Sequence, residues 1–90
     1  MSDSILLVDD EQHIIDLARM YLEQEGWKTT SATDGAVALQ RILAEKPALV
    51  MLDLMLPGLD GWEVCRRVRA QSDIPIIMLT SADNEDDKAR

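Results

Sequence analysis

Three short runs of this 90-residue chain are almost wholly apolar: Ile5-Leu6-Leu7-Val8, Ala48-Leu49-Val50-Met51-Leu52 and Ile76-Ile77-Met78-Leu79. A strand with one wet face alternates apolar and polar residues. A strand covered on both faces reads as a continuous apolar run, the habit of parallel sheets held between helices. The segments between the runs supply those helices. Ile14, Leu17, Ala18, Tyr21 and Leu22 recur at three- and four-residue spacing as far as Gly26. Val37, Leu39, Ile42 and Leu43 do so between Asp34, a candidate N-cap, and Pro47, and Trp62, Val64, Cys65 and Val68 mark a third helix. Trp27-Lys28-Thr29-Thr30-Ser31 is β-rich but polar, so it belongs at a sheet edge. The fourth strand is read as Ile74 to Leu79, and Leu56-Pro57-Gly58-Leu59-Asp60-Gly61 as a turn-rich loop. Right-handed crossovers then give one α/β doubly wound parallel sheet with strand order 2-1-3-4.

Ninety residues, 47% of them apolar, fill one small domain and no second one. The formal net charge of −8 excludes direct nucleic-acid binding by this chain and argues against anionic membrane surfaces. A single cysteine, Cys65, forms no internal disulfide and no zinc cluster. The N-terminus Met1-Ser2-Asp3-Ser4 is polar and acidic, unlike a secretory signal, and no apolar run approaches a membrane span. A cytoplasmic location is expected.

Two of the apolar runs end on carboxylates: Asp9-Asp10 follows the first and Asp53 the second, which is the third strand of the chain. In the order 2-1-3-4 the topological switch lies between strands one and three, where open α/β sheets bind ligands. Acidic side chains gathered there repel one another. At roughly 4 Å and an effective dielectric near 20 each pair costs up to about 4 kcal/mol, so a cation is expected to neutralise them. Oxygen-only ligands in an open, hydrated site favour a hard ion such as Mg²⁺. Taken alone, Asp9 and Asp10 read as caps of the first helix; the matching position of Asp53 favours the metal reading. Asp34 and Asp60 are assigned to capping and turns, Cys65, Trp27 and Trp62 to packing, and His13, Arg66, Arg67 and Arg69 to solvated helix faces.

The stretches Ile5-Leu6-Leu7-Val8-Asp9-Asp10-Glu11, Val50 through Gly61 and Pro75-Ile76-Ile77-Met78-Leu79-Thr80-Ser81-Ala82 together resemble a response-regulator receiver domain of two-component signalling, over the whole chain and in the family's order and spacing. The resemblance implies a flavodoxin-like fold and a phosphoryl group accepted by Asp53 from a sensor histidine kinase. It also implies Mg²⁺ organised by Asp9, Asp10, Asp53 and the backbone carbonyl of Met55, with the Thr80 hydroxyl sensing the phosphoryl group. Transcription regulation by a parent protein is a family-level expectation. The family pattern continues into a fifth strand ending in a lysine, and a last helix, neither of which the sequence displays. Lys88 lies in a polar, helix-like stretch and is no substitute. Residues 1–90 are therefore expected to form a receiver fragment, incomplete at its C-terminus. A second function follows from that expectation: a signalling-incompetent assembly unit that forms a homodimer or exchanges elements through the exposed edge of strand four. Other chemistries fit less well. A flavin phosphate would meet three carboxylates at Asp9-Asp10-Glu11, and an aspartyl phosphohydrolase would need a general acid where Met55 stands.

Overall fold

The computed structural model describes residues 4–56 and 58–79. Strands β1 (Ser4–Val8), β2 (Lys28–Ala32), β3 (Leu49–Asp53) and β4 (Ile76–Leu79) alternate with helices α1 (Gln12–Gln24), α2 (Gly35–Glu45) and α3 (Gly61–Arg69). Every pairing is parallel and the order is β2-β1-β3-β4, as the sequence leads one to expect. The polar strand takes the edge because α1 offers it polar partners there. Arg19 Nε donates to Thr29 Oγ1 at 3.0 Å and Arg19 Nη2 to Ser31 Oγ at 3.3 Å, while the Thr29 hydroxyl donates to Glu23 at 2.8 Å.

The pleat divides the apolar runs between two cores. Leu6, Val8, Val50 and Leu52 pack with Ala38 and Ile42 of α2 and Val64 and Val68 of α3. Ile5 and Leu7 pack on the opposite face with Ile15 of α1, joined by the half-buried Ala18, Leu22, Leu49 and Met51. Both faces of β1 are thus dry, which is why its sequence does not alternate. Each fully buried Leu, Ile or Val side chain contributes roughly 1.5–3 kcal/mol against its exposed state.

Helix ends follow local chemistry. Gly26, at φ 94°, closes α1 by donating to the Glu23 carbonyl while Trp27 N–H reaches the Leu22 carbonyl, both at 3.1 Å; only glycine enters that region without a Cβ penalty. Asp34 and Asp60 cap α2 and α3, their carboxylates accepting from Val37 N–H and Glu63 N–H, each at 2.9 Å.

Two expectations need correction. Ile74 lies outside β4: its N–H donates to Ser72 Oγ at 3.2 Å and its carbonyl accepts from Arg69 Nη1 at 2.6 Å, so it belongs to the turn leaving α3. Pro75, with no N–H to donate, separates it from the strand. The tryptophans are not packing residues either, since Trp27 is 40% and Trp62 65% exposed. The buried stripe of α3 runs through Gly61, Val64 and Val68, and Trp62 falls roughly 120° round the helix from its centre. Cys65 does pack against the core as expected.

Candidate functional site

Sheet register brings the carboxylates together. Val8 is paired with Leu52, so the next residue on each strand, Asp9 and Asp53, reaches the carboxyl edge at the same level. Asp10 follows on the turn into α1. One carboxylate oxygen from each of Asp9, Asp10 and Asp53 lies within 4.8 Å of the other two. Asp10 is exposed and the other two are half-buried. They line an open cleft with Glu11 and Met55, walled by Ile14 and Leu79, and among the described residues no basic side chain lines it.

Asp9, which lines the cleft, accepts a hydrogen bond from Glu11 N–H at 2.9 Å. This bond sits outside the helix proper. The N-cap of α1 is Glu11, and no side chain caps it, so the capping role of Asp9 and Asp10 is not what the structure contains. Burial is the largest influence on Asp9 and raises its pKa above the ordinary carboxylate value; the Glu11 N–H opposes this, and the charges of Asp53, Asp10 and Glu11 add to the rise in that order. Desolvation thus exceeds the repulsion from any one neighbouring charge at this residue.

Asp53 is the last residue of β3, and its Oδ1 accepts from Met55 N–H at 3.0 Å. Among the described residues its second oxygen has no hydrogen bond. The backbone beyond Asp53 is held from two sides: Leu54 N–H donates to the Leu79 carbonyl of β4, and the Leu54 carbonyl accepts from Gly61 N–H of α3, both at 3.2 Å. Three converging carboxylates make a donor set that a hard divalent ion satisfies, so the residues present fit Mg²⁺. Met55 lies at the cleft, with its side chain 61% exposed. Thr80 lies outside the described residues.

Other candidates stay apart from this cluster. His13 is solvated, its ring 77% exposed and 3.6 Å from the Glu11 carboxylate. Arg66 and Arg67 hold Glu63 at 2.7 and 2.8 Å on the solvated face of α3, and their hydrogen bonds, that of Arg66 first, lower the Glu63 pKa. Sequence reasoning missed Gly35 and Gly61. A Cβ on Gly61 would stand 2.6 Å from the Asp53 carbonyl oxygen and 2.7 Å from Leu54 Cα, and one on Gly35 would overlap the Leu59 carbonyl oxygen. The available signal was that each glycine directly follows a capping aspartate, in Asp34-Gly35 and Asp60-Gly61.

The family model described as response regulator receiver domain matches residues 5–90. The BeF3-activated N-terminal receiver domain of RstA from Klebsiella pneumoniae is 38% identical, with TM-score 0.82; the alignment covers 90% of this chain and 72% of that one. The response regulator protein TrrA from Thermotoga maritima, in complex with Mg(2+)-BeF, is 36% identical with TM-score 0.84, covering 97% and 76% respectively. The N-terminal domain of a response regulator receiver protein from Methanoculleus marisnigri is 33% identical with TM-score 0.81, covering 96% and 76%.

Proposed function

The chain belongs to the response regulator receiver family, and from that premise we propose that it accepts a phosphoryl group on the Asp53 carboxylate from the phosphohistidine of a sensor histidine kinase. The observation that carries the reading is the meeting of Asp9, Asp10 and Asp53 within 4.8 Å in a cleft that, among the described residues, no basic side chain lines. Asp9, Asp10, Asp53 and the Met55 backbone carbonyl would hold Mg²⁺. The ion, when bound, supplies positive charge that offsets the carboxylates and the transferring phosphoryl oxygens. A Mg(2+)-BeF complex is recorded for the Thermotoga maritima relative, which supports the same use of this acidic cleft.

The chain's own groups divide the remaining work. Met55 N–H holds Oδ1 of Asp53 and leaves the second oxygen as nucleophile. That oxygen forms the new O–P bond while the P–N bond to the kinase imidazole breaks, its electron pair returning to the ring nitrogen. Ile14 and Leu79 border the cleft with apolar surface and limit the water around the acyl phosphate. Met55 has no group that activates water, so hydrolysis is slow. Thr80 is assigned the phosphoryl-sensing hydroxyl, and the cytoplasm the setting of the transfer. Among the described residues no helix is long and apolar enough to cross a membrane.

Intact-mass measurement after incubation with acetyl phosphate and Mg²⁺ tests the proposal. The native chain gains one phosphoryl group and Asp53→Asn gains none; equal gain in both overturns the assignment.

A second reading has its own observation. Among the described residues β4 borders β3 alone, its four residues carry no charge, and Ile77 is 47% exposed, whereas the β2 edge is guarded by Lys28 and the Arg19 network. Unguarded edges recruit strands, so β4 would pair two copies of the chain or mediate element exchange between them. Sedimentation equilibrium decides it: association that Ile77→Lys abolishes supports the reading, and a monomer across micromolar concentrations refutes it.

A further inference from the structure

Helices α2 and α3 begin with the same dipeptide, and in both cases the glycine, not only the capping aspartate, meets the loop that leaves Asp53. Asp34 caps α2, and Gly35 lies against the Leu59 carbonyl. Asp60 caps α3, and Gly61 lies against the Asp53 carbonyl and Leu54 Cα while donating to the Leu54 carbonyl at 3.2 Å. Both glycines are buried, and neither needs the left-handed backbone region; among glycines, positive φ occurs at Gly26 and Gly58. Close approach is therefore the reason for glycine here, and conformational freedom is not. We propose that Gly35 and Gly61 are positioning residues: they let the first turns of α2 and α3 clamp the backbone at Leu59 and at Asp53–Leu54 and so fix the Asp53 carboxylate and the Met55 backbone for metal binding and phosphoryl transfer. The inference rests on the phosphoacceptor reading above.

The physical chain is short. Cβ contacts below 3.0 Å essentially do not occur, so alanine at position 61, at 2.6 Å, forces the Asp53–Leu54 backbone to retreat by several tenths of an ångström or more. Those are the peptide units between the carboxylate and the Met55 N–H that holds it. Misplacing a reacting group by about 1 Å costs on the order of a hundredfold in rate. Alanine at position 35 acts on the same loop from its far end, through Leu59. It touches none of the carboxylates.

The test compares Gly61→Ala and Gly35→Ala with Gly26→Ala in the 90-residue chain. Gly26 has φ 94° and open space around it, and it lies at the C-terminal end of α1, at the opposite end of the sheet from the cleft, so its alanine variant loses stability without touching the loop. Each variant is melted, titrated with Mg²⁺ by calorimetry, and timed for phosphoryl uptake from acetyl phosphate at saturating Mg²⁺. Gly61→Ala is expected to weaken Mg²⁺ binding and slow uptake at least tenfold per folded molecule, and Gly35→Ala to shift both in the same direction. Gly26→Ala keeps both at native values despite its lower melting temperature. Native Mg²⁺ affinity and rate in folded Gly61→Ala would overturn the clamp. Failure of the native chain itself to bind Mg²⁺ or take up phosphate would instead overturn the phosphoacceptor reading. If Gly61→Ala does not fold, amide exchange in the native chain decides: Mg²⁺ slows exchange of the Gly61 N–H if the clamp positions the site, and leaves it unchanged if the glycine serves packing alone.

Discussion

Replacing Asp53 with Asn should stabilise the metal-free chain while removing its response to Mg²⁺. Asn keeps an oxygen that accepts from Met55 N–H, so the loop contact survives and only the charge is lost. Asp53 faces two carboxylates, Asp9 and Asp10, with oxygens no more than 4.8 Å away. At that separation each repulsion is about 3.5 kcal/mol for an effective dielectric of 20 and about 0.9 kcal/mol for water. Asp10 is exposed and the other two are half-buried, so the watery limit governs, and 0.1 M salt reduces it further. The two pairs together then give a gain of about 1–2 kcal/mol. For a domain of this size that raises the melting temperature by about 4–16 °C. The native chain, in turn, should gain about 2.7 kcal/mol at Mg²⁺ one hundredfold above its dissociation constant, a gain Asp53→Asn should largely lack. Urea denaturation of both proteins with EDTA and with Mg²⁺, at low and high salt, measures all of this. A variant no more stable than the native chain without metal, or one stabilised equally by Mg²⁺, would refute the argument that the three carboxylates form one electrostatic unit.

The raised pKa of Asp9 carries a sign that can be checked without metal. The folded state favours its protonated form, so the group's contribution to stability is most favourable below the unfolded value of 3.8 and declines as pH rises through the higher folded value. Asp9→Asn keeps an acceptor for Glu11 N–H but has no such decline, so its urea midpoint should gain on that of the native chain as pH rises from about 3.5 towards 6; a constant difference would contradict the burial argument. Leu52, fully buried and next to Asp53, should cost about 2–5 kcal/mol when cut to Ala, enough to unfold much of a marginal small domain; a loss below about 1 kcal/mol in the urea midpoint analysis would contradict its place in the core.

Much of the architecture was legible because burial on both faces leaves an unambiguous mark. Ile5–Val8 and Leu49–Leu52 contain no polar residue, and the polar Lys28–Ser31 could only take an edge, which together fix the order β2-β1-β3-β4. The Asp9, Asp10 and Asp53 cluster followed once β1 and β3 were neighbours, since register alone levels their ends. Asp34 and Asp60 were legible as local features, because capping depends on residues three apart. What escaped depends on approach through space. Nothing near Gly61 in sequence reveals that its Cα meets the Asp53 carbonyl, and the Asp9 bond to Glu11 N–H arises from a turn that the aspartate pair alone does not distinguish from a cap. Hydrophobicity alone extends β4 to Ile74, although the pairing with β3 begins at the Pro75 carbonyl, which accepts from Val50 N–H at 3.0 Å, and Arg69 draws the Ile74 carbonyl back toward α3. The tryptophans were assigned to packing by residue type, and helical phase carries Trp62 out of the buried stripe.

Borohydride trapping shows which carboxylate takes the phosphoryl group. The chain is treated with acetyl phosphate and Mg²⁺, the acyl phosphate is reduced to the corresponding alcohol, and the modified residue is located by tandem mass spectrometry. Homoserine is expected at position 53 alone, in the native chain and not in Asp53→Asn. Homoserine at position 9, 10, 34 or 60, or modification that persists in the variant, would contradict it.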